Sequence, residues 1–246
     1  MATYNAPRYL FRRYTILSLV KPNNKFLEIG AGNLKLSQDL CNYFNKGLAV
    51  DFEPGVKKIF SDLPVKIKKK LEIKIGDFFK LSDKESFDCI IACEVMEHIE
   101  DDLDFLSKVN IRLKKGGQVI ISVPAKDKYW TIHDEVVGHF RRYNKKQLLN
   151  IMEKSGFKDV KVYSYGFPFI NILWVARAMH GKQQSKQKKS WSKEQQTKKS
   201  GISQIPKKYD FLGLFFNKYT FYPLNLISSL FNNFDLSEGY ILVATK

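Results

Sequence analysis

A carboxylate stands just before a glycine-rich turn near the start of the chain. Glu28 is followed by Gly30, Ala31 and Gly32. Glycine in such a turn lets a ligand come close to the backbone, and the helix that follows presents its N-terminal N–H groups to that ligand. Lys35 occupies the place of the third glycine of the dinucleotide fingerprint. Because a carboxylate at the turn would repel a diphosphate and attract an ammonium group, the pattern indicates a ligand other than a dinucleotide.

Further carboxylates follow the next apolar runs of the chain. Asp51 lies about 20 residues after the turn, where doubly wound folds place the carboxylate that binds ribose hydroxyls. Asp77 can accept a hydrogen bond from an exocyclic amine, and Phe78 can lie beside a purine. These positions predict a crevice for adenosine with an amino-acid tail. Its other candidate contacts are Phe52, Cys93, Glu94, Val95 and His98.

The elements that must position these residues alternate between apolar runs and helical patterns, which is typical of βαβ units with a parallel sheet. Residues 7–20 predict an amphipathic N-terminal helix, and Leu36, Leu40, Tyr43 and Phe44 share one face of a second helix. Lys114-Lys115-Gly116-Gly117 predicts the end of a later helix. Strands are predicted at residues 26–29, 48–51, 71–75, 87–93, 119–123, 160–162 and 240–244.

Composition restricts the class of protein. The chain has 246 residues and 41 Lys and Arg against 25 Asp and Glu, a formal charge of +16 that favours anionic partners. Three cysteines exclude a disulfide scaffold, and we expect reduced thiols, a cytoplasmic location and no metal. Met1 is followed by no apolar run, so a secretory signal is not expected.

A long insertion precedes the last predicted strand. We interpret residues 1–246 as a single domain in which residues 166–238 form this insertion, with a flexible, Lys-rich part at 181–208 and aromatic flanks. A lid over an apolar acceptor pocket is the interpretation we favour. A solvated linker and a peripheral contact with an anionic membrane are the alternatives.

Several of these segments together resemble the class I S-adenosylmethionine-dependent methyltransferases (type 11/12-like). Residues 26–33, Phe-Leu-Glu-Ile-Gly-Ala-Gly-Asn, are similar to the first motif of that family, with Asp51 and Asp77 at its ribose and adenine positions. Residues 94–101 resemble the segment after the fourth strand in the subgroup that includes ubiquinone-pathway enzymes. The resemblance implies S-adenosylmethionine as cofactor and S-adenosylhomocysteine as product. It also implies an α/β fold, a Rossmann-like, doubly wound, seven-stranded sheet with an antiparallel last strand.

The loop after the fifth strand faces the methyl acceptor in the family fold. His133 and His139 lie in this loop and are candidates for a general base, since histidine exchanges protons near neutral pH. Both could instead be hydrogen-bonded loop residues, and the neighbouring arginines could pair with Asp134 and Glu135. Glu97 is interpreted as a charge at a helix N-terminus. Candidate substrate contacts are Tyr129, Trp130, Arg141, Arg142 and Tyr143.

These observations predict methyl transfer to a small, apolar or aromatic acceptor, with oxygen as the favoured atom. Two alternatives remain: an RNA or protein methyltransferase, and a non-catalytic subunit that binds the cofactor. The positive charge suggests the first, but it is concentrated in the insertion, so we do not expect nucleic acid as partner. A nicotinamide oxidoreductase ranks last because of Glu28. The sequence leaves the oligomeric state open.

Overall fold

The apolar runs form the centre of the protein. A computed structural model describes residues 5–174 and 212–246, and the strands found there build one seven-stranded sheet. In chain order the strands are β1 (Asn23–Ile29), β2 (Phe44–Asp51), β3 (Leu71–Ile75), β4 (Phe87–Cys93), β5 (Leu113–Pro124), β6 (Lys158–Ser164) and β7 (Gly239–Thr245).

The strand order confirms the predicted topology. The order is β3-β2-β1-β4-β5-β7-β6; β1 to β5 run parallel, and β7 runs antiparallel to both β5 and β6. In the centre Ile29 pairs with Val50 on one side and with Ala92 on the other. The carboxyl ends of β1, β2 and β4 therefore meet at one edge of the sheet, where the sequence predicts the ligand crevice.

Helices cover both faces of the sheet. Consecutive residues of β1 point to opposite faces, so Phe26 packs in the layer below the helix at Pro7–Leu19 and Leu27 packs in the layer below the helices at Asp102–Arg112 and Lys145–Lys154. The helices are α1 (Pro7–Leu19), α2 (Lys35–Leu40), α3 (Val56–Ser61), α4 (Val65–Lys68), α5 (Asp102–Arg112), α6 (Ile132–Val137), α7 (Lys145–Lys154) and α8 (Tyr222–Ser229). Single 3-10 turns occur at Phe78–Lys80, Met96–His98 and Asp127–Tyr129.

Two predicted helix boundaries are wrong. Phe44 begins β2 instead of continuing α2, because its ring packs in the core at 5.3 Å from the ring of Phe26. Gly116 and Gly117 lie inside β5 and do not end a helix. The residues of β5 between Leu113 and Gln118 form a bulge. Phe87 of β4 pairs with Leu113 of β5, and Cys89, only two residues further along β4, pairs with Gln118.

The N-terminal helix is confirmed and is held by the late part of the chain. Phe11 of α1 stacks on Phe169 with a centroid distance of 5.4 Å and meets the edge of Phe221 at 5.5 Å. Residues 169–174 are helical, whereas the predicted flexible part at 181–208 lies outside the described residues. Among the residues described, no helix has the length and apolar character needed to cross a bilayer.

Candidate functional site

The glycine-rich turn leaves β1 with two residues in the left-handed region. Gly30 has φ +71° and Gly32 has φ +50°, values that suit glycine. A Cβ on Gly30 would lie 2.5 Å from Cγ2 of Val95, which belongs to the segment after β4. The turn and that segment are thus in direct contact, as the sequence analysis requires if both border one crevice.

The carboxylates after β2 and β3 are fixed by backbone N–H groups. Asp51 accepts hydrogen bonds from the N–H of Gly32 at 2.7 Å and of Glu53 at 2.9 Å. Asp77 accepts one from the N–H of Phe79 at 2.9 Å and caps the 3-10 turn that follows. Both side chains therefore have set orientations at the crevice edge before a ligand arrives.

The aromatic residues beside these two carboxylates differ in exposure. The side chain of Phe52 is half exposed. The ring of Phe78 is buried in the core, where it packs edge-on against Phe105 at 5.5 Å and lies under the guanidinium of Arg112. The predicted contact between the Phe78 ring and a purine therefore has no support in the structure, and only the backbone of Phe78 can face a ligand.

Glu28 is a buried carboxylate at the end of β1. It accepts a hydrogen bond from the hydroxyl of Ser37. Burial raises the pKa of Glu28 to about 8, the Asp51 charge acts in the same direction, and the Ser37 hydrogen bond opposes both. An ammonium group placed beside Glu28 would favour the ionised form. The side chain thus matches the positively charged end of an amino-acid tail.

Glu94 is held by two arginines that the sequence analysis did not identify. Its Oε2 lies 2.9 Å from Nη2 of Arg8 and its Oε1 lies 3.3 Å from Nη1 of Arg12. Ser122 Oγ donates to Oε1 at 3.1 Å. Burial raises the pKa of Glu94, but the charges of Arg8 and Arg12 outweigh it and hold the pKa at about 2. The spacing of the two arginines, one helical turn apart on α1, was the signal that could have indicated a shared partner.

Next to Glu94, three further ionisable side chains converge. Glu97 is completely buried, and within the described part of the chain neither of its carboxylate oxygens has a hydrogen-bond partner. His139 Nε2 lies 3.7 Å from Glu97 Oε1, and the rings of His98 and His139 meet edge to face at 4.7 Å. One ligand atom from each of the three residues falls within 4.8 Å of the others. Glu97 is therefore not the solvent-facing helix charge that the sequence suggested.

The electrostatic environment of this cluster is unusual. Burial and the nearby Glu94 charge raise the pKa of Glu97 well above its usual range. Burial and the neighbouring His139 lower the pKa of His98 to about 4. Without a ligand the cluster thus holds a protonated carboxyl beside a neutral imidazole. A bound divalent cation would instead favour the carboxylate and would take one nitrogen of each imidazole as a ligand.

A second carboxylate fixes the orientation of His139. Asp134 Oδ1 lies 2.9 Å from His139 Nδ1 and accepts a hydrogen bond from Arg142 Nε at 2.9 Å, while Thr131 N–H donates to Oδ2 at 2.8 Å. Burial raises the pKa of Asp134, but His139 and Arg142 together hold it well below its usual range. An ionised Asp134 assigns the proton of a neutral His139 to Nδ1. Nε2 is then left as an acceptor directed towards Glu97.

The remaining predicted substrate contacts divide into buried and accessible side chains. Arg142 is buried with Asp134, as one of the alternatives expected, and Tyr143 is buried with its hydroxyl donating to Asp102 at 3.1 Å. Burial therefore removes both from contact with a substrate. Arg141 pairs with Asp102 at 3.0 Å instead of with Asp134 or Glu135.

Three further loop residues are more accessible. Tyr129 and Trp130 are partly exposed, and Trp130 Nε1 donates to Glu135 at 3.3 Å. His133 lies in the first turn of α6, with its backbone N–H bonded to Thr131 Oγ1 at 3.2 Å. Tyr129 and Trp130 thus remain predicted substrate contacts.

Cys93, a predicted cofactor contact, is half-buried at the end of β4.

Comparison with known proteins gives a family match and several structural neighbours. A family model described as "Methyltransferase domain" matches residues 3–162. The ubiquinone biosynthesis O-methyltransferase of Pelagibacter ubique is 31% identical over 116 residues, which are 46% of this chain and 48% of that protein. The aligned part thus spans about half the length of this relative.

Two solved structures show the same fold. A Thermotoga maritima S-adenosylmethionine-dependent methyltransferase, described as a possible histamine N-methyltransferase, has a TM-score of 0.58 at 17% identity, covering 97% of this chain and 89% of that chain. Phosphoethanolamine N-methyltransferase 2 of Haemonchus contortus, in complex with S-adenosylmethionine, has a TM-score of 0.57 at 20% identity, covering 96% of this chain and 52% of that chain.

The protonated state of Glu28 predicts a pH-dependent affinity for S-adenosylhomocysteine. In the free protein Glu28 keeps its proton up to about pH 8, and the ligand's ammonium group favours the carboxylate. Binding therefore releases a proton, and the association constant should rise by up to about tenfold per pH unit as the pH increases towards 8. Calorimetry in buffers of different ionisation enthalpy measures both effects.

Glu28→Gln should abolish the proton release, whereas Glu72→Gln, at an exposed site on β3, should leave it unchanged. Equal proton release by wild type and Glu28→Gln would show that another group titrates.

Proposed function

From the premise that the chain belongs to the methyltransferase-domain family and takes its methyl group from S-adenosylmethionine, we propose that it methylates an oxygen of a small, apolar or aromatic acceptor. The observation that carries this proposal is the contact between Asp134 and His139 beside the buried Glu97. A hydroxyl acceptor must lose its proton when it is methylated. The cluster offers groups for that step at the edge of the sheet where the cofactor site lies.

The cofactor supplies an activated methyl group when bound, so the chain's own contribution is placement and proton removal. Glu28, Asp51 and Asp77 are suited to bind its ammonium, ribose and adenine groups. Holding donor and acceptor in line can supply on the order of 7–11 kcal/mol of the barrier. With no cation bound, His139 Nε2 can take the acceptor's proton, and the resulting imidazolium is stabilised by the ionised Asp134.

The same geometry also fits a divalent cation, contrary to the sequence expectation of no metal. Glu97, His98 and His139 would be its ligands, and Asp134 would orient His139 as carboxylates do behind metal-bound histidines. Such a cation would lower the pKa of an acceptor hydroxyl. Within the described ranges the buried oxygens of Glu97 have no hydrogen-bond partner, which favours this assignment, since a histidine base requires no carboxylate at that place.

The relative from Pelagibacter supports oxygen as the methylated atom through its name alone. The apolar or aromatic character of the acceptor rests on the partly exposed Tyr129 and Trp130 in the loop after β5. Both points extend the family assignment and require an activity measurement.

Removal of the His139 side chain should abolish most methyl transfer. With a panel of small phenols and catechols as acceptors and S-adenosylhomocysteine release as readout, His139→Ala should lower kcat by about 10²–10⁴-fold. Asp134→Asn should act in the same direction. His133→Ala, at the other predicted candidate base, is the matched comparison and should stay near wild type, because His133 does not belong to the cluster of Glu97, His98 and His139.

Affinity for S-adenosylhomocysteine should be unchanged in all three variants. Near-normal turnover of His139→Ala would reject its proposed role, and cofactor binding without turnover on any acceptor would favour a non-catalytic subunit.

Glu97→Gln separates the cation from the base. Glu97 is protonated in the absence of a cation, so the neutral glutamine should preserve a mechanism that uses His139 alone. The same substitution should abolish the binding of Mn²⁺. Electron paramagnetic resonance on the protein without acceptor measures this binding. We expect the wild type to bind Mn²⁺, Glu97→Gln to lose it, and chelation to stop turnover. Full activity of Glu97→Gln in the presence of a chelator would contradict the proposal that a cation takes part in the reaction.

A further inference from the structure

The late part of the chain exposes a concentrated set of apolar side chains. Of the fifteen large apolar side chains that are exposed in the described residues, eleven lie between residues 172 and 236. We call the side of α8 formed by Leu226, Ile227 and Leu230, which helical spacing places next to one another, the apolar face. Leu230 is 72% exposed and Leu226 is 44% exposed. A monomer in water gains nothing from such a patch, so a partner surface is indicated.

The orientation of α8 is opposite to that of an ordinary surface helix. Its polar residues Asn225 and Ser228 are buried, whereas Leu226 and Ile227 are exposed. Asn225 Nδ2 is satisfied internally because it donates to the carbonyl of Phe221 at 2.9 Å. The polar side of the helix is therefore stable in its buried position. Its apolar side faces outward and can contact another apolar phase.

The charge of the late part of the chain favours one kind of occupant for the apolar face. Residues 212–234 contain no Asp or Glu, and Lys218 lies over the ring of Tyr219 at 5.1 Å. In sequence, the segment 175–211 carries ten Lys and Arg against two Asp and Glu, which is half of the net charge of +16. Two copies of so basic a chain would repel each other, whereas a bilayer with anionic headgroups would attract it.

We infer that the apolar face docks on the surface of a bilayer that contains anionic lipids. With no spanning helix among the described residues, the contact is a peripheral one, with α8 lying along the surface. The leucine and isoleucine side chains of the apolar face enter the boundary between headgroups and acyl chains, while the basic charge of the late part of the chain attracts the anionic headgroups.

Hydrogen bonds join the loop after β5 to the late part of the chain. Trp174 Nε1 donates to the carbonyl of Tyr129 at 3.0 Å. Asn171 Nδ2 donates to the Tyr129 hydroxyl and to the carbonyl of Leu236, both at 3.0 Å. The loop after β5 is therefore attached to residues that precede and follow the apolar face in the sequence. Delivery of an apolar acceptor from the bilayer to this loop would rest on the proposed function, whereas the docking itself does not.

Sedimentation with vesicles tests the docking without cofactor or acceptor. The wild type should sediment with phosphatidylcholine vesicles that contain roughly one third phosphatidylglycerol, but not with phosphatidylcholine alone, and high salt should release it. Leu230→Glu should lower the bound fraction about tenfold or more. It removes a leucine that would be buried in the bilayer, and it adds a charge that the anionic headgroups repel. Val65→Glu, at a 65% exposed site on α4, is the matched control and should bind like wild type.

Thermal unfolding must show that Leu230→Glu is folded, which its exposure predicts. Absence of wild-type binding to anionic vesicles, or equal binding by Leu230→Glu and wild type, would overturn the inference. A dimer in light scattering that Leu230→Glu dissociates, without vesicle binding, would assign the face to a second copy of the chain. Because no methyl transfer is measured, failure of the proposed function leaves these outcomes unaffected.

Discussion

Arg8 and Arg12 hold the ionised carboxylate of Glu94 at the edge of the sheet where the parallel strands end. Glu94 is only partly exposed, and removing an unpaired carboxylate from water is costly, so the two arginines favour its ionised form there. The pairing attaches α1 to the crevice. Because Phe11 of α1 also contacts Phe169 and Phe221, the same helix connects the crevice to the late part of the chain.

The carboxylates of the site fall into two groups. Glu94 and Asp134 have cationic or hydrogen-bonding partners that keep them ionised. Glu28 and Glu97 form no ion pair with Lys or Arg in the part of the chain that the structure describes, and burial raises the pKa of both. Environments that push the pKa values of neighbouring carboxylates apart are typical of functional sites. The first group maintains the architecture, and the second group lies where we propose that a ligand brings positive charge, an ammonium at Glu28 and a divalent cation at Glu97.

Much of this arrangement could be predicted because it depends on short segments. Glu28, Gly30 and Asp51 are positioned by the strands that end beside them, and parallel pairing brings such ends together. The partners of Glu94 could not be predicted in the same way, since the four strands β1 to β4 lie between Arg8 and Glu94 in the sequence. The buried ring of Phe78 depends likewise on tertiary packing with Phe105.

Diffraction from crystals grown with S-adenosylhomocysteine and Mn²⁺, recorded at the manganese absorption edge, tests this account most directly. We predict the ligand's ammonium group within hydrogen-bond distance of Glu28 and an anomalous peak between Glu97, His98 and His139. A ligand whose ammonium group lies away from Glu28, together with no anomalous peak at the three side chains, would contradict the account.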